Sequence, residues 1–157
     1  MSPERHNRAG SSLPQPGDVL AVPLSRGVAF CTYLGKHETL GDAILVLPGI
    51  HESHDVAKAV AAAAAGFVAF YPVRAASRSG LVRVVGFHPE TLRPLSSMVR
   101  YVGNTSEDGR VLTWLITDGA SLRQPRTVLS DEEKQLPIGT IWNHPLLVDR
   151  IESNWRP

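Results

Sequence analysis

The sequence predicts an α+β domain: a bent, mostly antiparallel sheet of about six or seven strands, closing in part into a barrel, with two or three short helices packed on it. Three observations lead there. Seven short segments are apolar runs or alternate apolar and polar residues at period two, with turn residues between them. One alanine-rich stretch, His51 to Ala65, has the composition of a helix. The C-terminal third carries cap signals for two more short helices.

Residues 1–16 hold Pro3, Pro14 and Pro16 and few apolar groups, the composition of a disordered tail. A single domain over 17–157 follows. In Asp18 to Leu24, residues Leu20, Val22 and Leu24 share one face, so this is a strand; Pro23 cannot donate to a ladder, which places it at an edge or a strand end. Ser25-Arg26-Gly27 then turns the chain into a second strand, Val28 to Leu34. Ala43 to Leu47, closed by Pro48-Gly49, reads as a third and fully buried strand. The alanine-rich helix follows, with Ser53 as its N-cap and Gly66 at the position just past its end. Phe67–Val73, Leu81–Phe87, Met98–Val102 and Val111–Thr117 complete the strands, and Asp118-Gly119 forms a turn with Gly119 at positive φ.

Toward the C-terminus, Ser130 with Glu133 three residues on is a capping box, and Pro137 stops the helix it opens. Asn143 caps a second helix, with Pro145 tolerated in its first turn. Leu147, Ile151 and Trp155 recur every four residues and give that helix one apolar stripe.

Composition narrows the function. The 157 residues suffice for a core that buries roughly 70% of the unfolded surface without staples. Cys31 is the one cysteine, so the chain forms no internal disulfide and no Cys-based zinc site; within an apolar run it reads as a small buried hydrophobe. Sixteen basic residues against fifteen acidic ones argue against a general nucleic-acid binder. The N-terminus lacks the apolar core of a signal peptide, and the longest apolar stretch, interrupted by Gly66, is short for a bilayer. These features point to a cytoplasmic protein.

No nucleophile elbow or phosphate-binding glycine loop occurs, so we expect no catalytic residues, no cofactor and no enzyme. His51 and His54 stand three apart, where the two-histidine zinc helix needs four. The bland reading, a polar turn leading into a helix, suits them better, and no metal is expected there. Two regions remain as candidate partner-binding surfaces, because loops and element ends carry recognition. One is the arginine set Arg74, Arg78 and Arg93, in a stretch from Gly66 to Gly103 with five arginines and one acid. Spaced, solvated loop arginines are the plain alternative. The other is Trp142-Asn143-His144 beside the acidic turn Asp131-Glu132-Glu133, where a partly exposed Trp142 would supply an aromatic anchor.

Four segments together resemble a known family. They are Gly17-Asp18-Val19-Leu20-Ala21-Val22-Pro23-Leu24, the strand through Tyr33-Leu34-Gly35, Trp114-Leu115-Ile116-Thr117-Asp118-Gly119, and Leu129 to Ile151 with its Ser130-Asp131-Glu132-Glu133 and Trp142-Asn143. This pattern is similar to the immunity protein 26 family of bacterial polymorphic toxin systems. It covers about half the chain, its two ends. The resemblance implies an antitoxin that binds and blocks a cognate toxin, with no catalysis and no cofactor. The alternative from the opening strand alone is a small regulatory or adaptor module with an SH3-like β-barrel.

Overall fold

The structure, a computed structural model, describes residues 13–118 and 123–157. Of the expected tail, residues 1–12 lie outside the described residues, as does Gly119. Residues just ahead of the anticipated start at Gly17 are already structured. Pro14 is buried, and Gln15-Pro16-Gly17-Asp18 is a hydrogen-bonded turn, Asp18 N donating to Gln15 O at 2.9 Å. Gly17 sits in it at φ +95°, the position after a turn proline that glycine fills without strain.

Two antiparallel sheets form. The first contains β1 (Asp18–Leu24), β2 (Gly27–His37), β3 (Gly41–Val46), β4 (Phe67–Phe70) and β5 (Arg83–Phe87), in the order β4-β3-β2-β1-β5. The second contains β6 (Val99–Val102), β7 (Trp114–Thr117) and β8 (Arg123–Arg126), in that order. The expected single bent sheet is therefore divided in two, and β8, rich in arginine and holding Pro125, has no apolar pattern to announce it. The hairpin between β1 and β2 closes through Ser25-Arg26, with Leu24 opposite Gly27. Pro23 is paired with Val28 on one side only, because β5 reaches no further than Ala21.

The central sheet is buried on both faces. Leu20, Val22, Cys31, Tyr33 and Ile44 pack on one face with Trp142 and Leu147; Val19, Ala21, Phe30, Leu45 and Phe70 pack on the other with Ala59 and Val99. The first face is covered by α2 (Val73–Arg78) and α4 (His144–Glu152), the second by α1 (Ala57–Ala61) and the β6 side of the small sheet. This is why these strands read as nearly continuous apolar runs.

The alanine-rich segment departs from expectation. Only α1 and a 3₁₀ turn at Ala63–Ala65 are helical. Ser53 Oγ accepts from Asp55 N at 3.3 Å and Asp55 Oδ1 from Ala57 N at 3.0 Å, so the polar residues close local turns in place of a helix. Gly66 is extended, at φ −73° and ψ 169°, and does not take the left-handed conformation expected of it. Its need is for space: a Cβ there would lie 2.6 Å from Val46 O. The caps at the other end hold as expected. In α3 (Asp131–Lys134), Ser130 Oγ accepts from Glu133 N at 3.1 Å and Glu133 Oε1 from Ser130 N at 3.0 Å. In α4, Asn143 Oδ1 accepts from Leu146 N at 2.9 Å. Asn154, at φ 55°, ends α4 with Trp155 N donating to Arg150 O, a Schellman closure that folds Trp155 back on the core. Four α-helices are present among the described residues, one being the unanticipated α2.

Candidate functional site

The two candidate surfaces fare differently. At the start of α4, Trp142 is 2% exposed and cannot be an anchor for a partner. Its ring packs against Phe67 and Trp155, with centroids 6.0 and 5.3 Å away, and Arg150 lies 4.7 Å above it. Its backbone N donates to Phe70 O at 2.8 Å, stitching this segment to the edge of β4. An indole beside a helix cap is as good a core plug as an interface anchor, and here the open face of the central sheet required the plug. Asn143 is occupied in capping. His144 Nδ1 lies 2.7 Å from Tyr71 Oη, and burial holds its imidazole below the ordinary pKa, which suits a neutral ring accepting a hydrogen bond from the phenol. Trp142-Asn143-His144 thus docks α4, and the exposed ring expected of Trp142 is absent, while Asn143 stays exposed and His144 half-buried. The exposed apolar side chain in this segment is its neighbour Ile141, at 56%.

The acidic turn is differently built. Asp131 and Glu132 are exposed, while Glu133 is fixed. Glu133 receives the Ser130 N–H on one oxygen and Arg126 Nε at 3.0 Å on the other, and Arg126 is itself braced by Gln124 Oε1 at 2.8 Å. The Ser130 N–H, with lesser help from Ser130 Oγ and Arg126, holds the Glu133 carboxyl below its usual range. Lys134 approaches Asp131 at 3.7 Å, the distance of a loose surface pair. Leu129, buried, roots the segment, and Val128 before it is 79% exposed. The result is a rigid turn that displays two carboxylates and an aliphatic side chain.

The three arginines do not share one free patch. Arg93 donates to Ala63 O at 2.6 Å, Ala64 O at 3.1 Å and Gly66 O at 3.3 Å, so it closes the end of the 3₁₀ turn. Arg74 and Arg78 sit one turn apart on α2. Arg74 is half-buried, with Nε enclosed and its backbone N directed at Asp42 Oδ2, whereas Arg78 is exposed. Arg93 reads from sequence as a loop arginine because its acceptors are backbone carbonyls, which no residue pattern marks.

The other reactive types have separate partners. His51 Nε2 meets Pro48 O at 3.2 Å and its ring packs on Phe30; His54 Nδ1 meets Arg83 at 3.2 Å. Among the described residues no group of three or more His, Cys, Asp or Glu is placed to hold a metal ion. Cys31 is buried, and burial pushes its thiol up to about 12. An open groove of about 550 Å³ lies where the β1–β2 turn meets α4, with Ser25 and His144 in its lining. Ser25 Oγ is bound to Glu152 at 2.7 Å and His144 to Tyr71, so neither supplies the other as nucleophile and base. Among the described residues no helix is long and apolar enough to cross a membrane.

No family model, curated protein or solved structure matches the chain.

Proposed function

We propose that the protein is an immunity protein, acting in the bacterial cytoplasm by binding and neutralising a cognate polymorphic toxin. The observation that carries this reading is the rigid acidic turn: Asp131 and Glu132 stand exposed on a helix locked by Ser130 and Arg126, beside a Val128 that is 79% exposed. A preorganised turn loses little entropy on binding, and an apolar side chain next to charge is the makeup of an interface centre with a polar rim. Carboxylates so placed suit a toxin whose basic residues bind phosphate, since they stand in for it. The segment also belongs to the half of the chain that resembles immunity protein 26.

The test is the toxin encoded next to this chain. Val128→Lys with Glu132→Lys, both at exposed positions, weakens toxin binding by about 2 kcal/mol or more while the melting temperature holds. Undiminished binding by that variant, with loss on Arg78→Glu, moves the interface to α2. A second reading, a regulatory or adaptor module, draws on strand order: a four-strand antiparallel meander whose fifth strand returns to pair with the first has the connectivity of an SH3-like barrel. A stable partner that is neither toxic nor blocked by the chain would favour it.

A further inference from the structure

The three strands of the small sheet pair without a shift in register, so Arg100 and Val102 of β6, Trp114 and Ile116 of β7, and Gln124 and Arg126 of β8 share one face. Two arginines of that face flank Trp114, and their surroundings differ. Arg126, opposite Trp114, is neutralised: its Nε donates to Glu133 Oε2 and its Nη2 to Gln124 Oε1. Arg100 is 4% exposed; its Nε donates to Leu136 O at 2.9 Å, and its guanidinium lies 4.7 Å over the Trp114 ring. Among the described residues the ion pairs join His88 to Glu90, Arg126 to Glu133 and Lys134 to Asp131, so no carboxylate there balances Arg100.

A buried charge ordinarily has a counter-charge, because burial strips the water that would solvate it. Burial alone acts on the Arg100 guanidinium, holding it below its ordinary pKa with no neighbouring charge to offset the effect. Its two terminal nitrogens make no hydrogen bond among the described residues, yet they are not enclosed. The guanidinium is therefore fixed at Nε and across its face, while the two terminal nitrogens stay free. That free end is the fork a carboxylate meets with two parallel hydrogen bonds. Beside it the surface is apolar: Trp114 is half-buried, and Val102, opposite Trp114, is 44% exposed.

We propose that Arg100, stacked on Trp114, is a carboxylate-binding site, and that its occupant is an aspartate or glutamate side chain of a partner protein. One unbalanced positive charge matches a carboxylate. A phosphate group carries nearly two negative charges and would call for a second free cation, whereas the neighbouring Arg126 is spent on Glu133. Arginine and tryptophan are the side chains that dominate protein interfaces, and here they come joined, with an exposed valine beside them. The entropy of holding a long arginine still is lost on folding, so a partner's carboxylate meets a fork already in place. The charge sought is opposite to that sought by Asp131 and Glu132, and neither residue takes part. The site therefore stands or falls separately from toxin binding at the acidic turn.

Two experiments on the full chain test this. In the first, sodium acetate is titrated into nitrogen-15-labelled protein against sodium chloride at equal ionic strength, and the Arg100 Nε–H and Trp114 indole N–H resonances are followed. Both are expected to shift with acetate and to saturate, and to stay in place with chloride. Equal responses to the two salts overturn the proposal. Inorganic phosphate binding about tenfold more tightly than acetate also overturns it, by assigning the site to a phosphate ligand. The second experiment supplies the carboxylate from within. Val102 is exposed and lies two residues from Arg100 on the same face, so Val102→Glu sets a carboxylate beside the free fork without touching either arginine. At neutral pH this variant is expected to unfold at higher urea than Val102→Gln, to shift the Arg100 Nε–H and to lose the response to acetate. The gain over Val102→Gln should vanish as pH falls below the glutamate value of about 4.3. A Val102→Glu chain no more stable than Val102→Gln, or one that still responds to acetate, overturns the proposal.

Discussion

In the five-stranded sheet, β2 is buried at every position from Val28 to Gly35 and β1 from Asp18 to Val22; in the three-stranded sheet, Trp114 and Leu115 are half-buried and β8 alternates exposed and half-buried. The large sheet is a middle layer with apolar partners on both faces. The small sheet lends β6 to that core through Val99 and Tyr101, buries Ile116 and Thr117 of β7, and leaves β8 to solvent. Its ties are individual: the buried Arg100, donating to Leu136 O and lying 4.7 Å over Trp114, and the pair of Arg126 with Glu133. One region is held by area, the other by a few directed contacts. Substitutions should separate them by size and by sensitivity to pH.

The largest separation is expected between two tryptophans. Trp142→Ala opens a cavity between the central sheet and α4 and should cost about 3–5 kcal/mol. Trp114→Ala, at a half-buried ring whose main partner is one guanidinium, should cost about half as much. Urea denaturation of both variants decides it. Equal costs would break the distinction between the sheets.

Next comes Gly66→Ala. The position is extended, so no glycine conformation is at stake, and the new methyl meets Val46 O at 2.6 Å and Ala63 O at 3.1 Å. Backbone on both sides cannot rotate away as a side chain would. The expected cost is about 1–3 kcal/mol, the range of an overpacked core. A substitution without effect would mean that β3 and the 3₁₀ turn can part more easily than a middle layer should.

The sequence displays the area-held region far better than the contact-held one. Period two in Leu20, Val22 and Leu24, the run Ala43 to Leu47, and the caps at Ser130 and Asn143 each became the element they announced. The helix expected from His51 to Ala65 shrank because propensity alone does not hold a helix whose flanks close their own turns. β8 and α2 lack any apolar period long enough to see. Of the candidate site, Asp131 and Glu132 are displayed as expected, whereas Trp142 and Arg93 went to structural work. A tryptophan's destination depends on which sheet face lacks cover, and an arginine's on which carbonyls lack donors; both are settled by distant segments.

The smallest effect should be the one that responds to acid. Ser130→Ala removes the oxygen that accepts from Glu133 N and should cost about 1 kcal/mol. Glu133→Gln isolates the charge, because Gln still reaches the Ser130 N–H but has no carboxylate for Arg126 and no proton to gain. The Glu133 carboxyl is held below its unfolded value by the Ser130 N–H, with Arg126 adding to it. A depressed folded pKa gives stability that is fully present above the unfolded glutamate value of about 4.3 and is lost as pH falls through the lower folded value. The difference in urea midpoint between the native chain and Glu133→Gln should therefore be constant from neutral pH down to about 5 and shrink below that. The same titration on Trp142→Ala should leave its larger difference unchanged, since burial of an indole exchanges no proton. A pH-independent gap for Glu133→Gln would remove charge from the account of how the acidic turn is held, and leave its rigidity to the Ser130 cap.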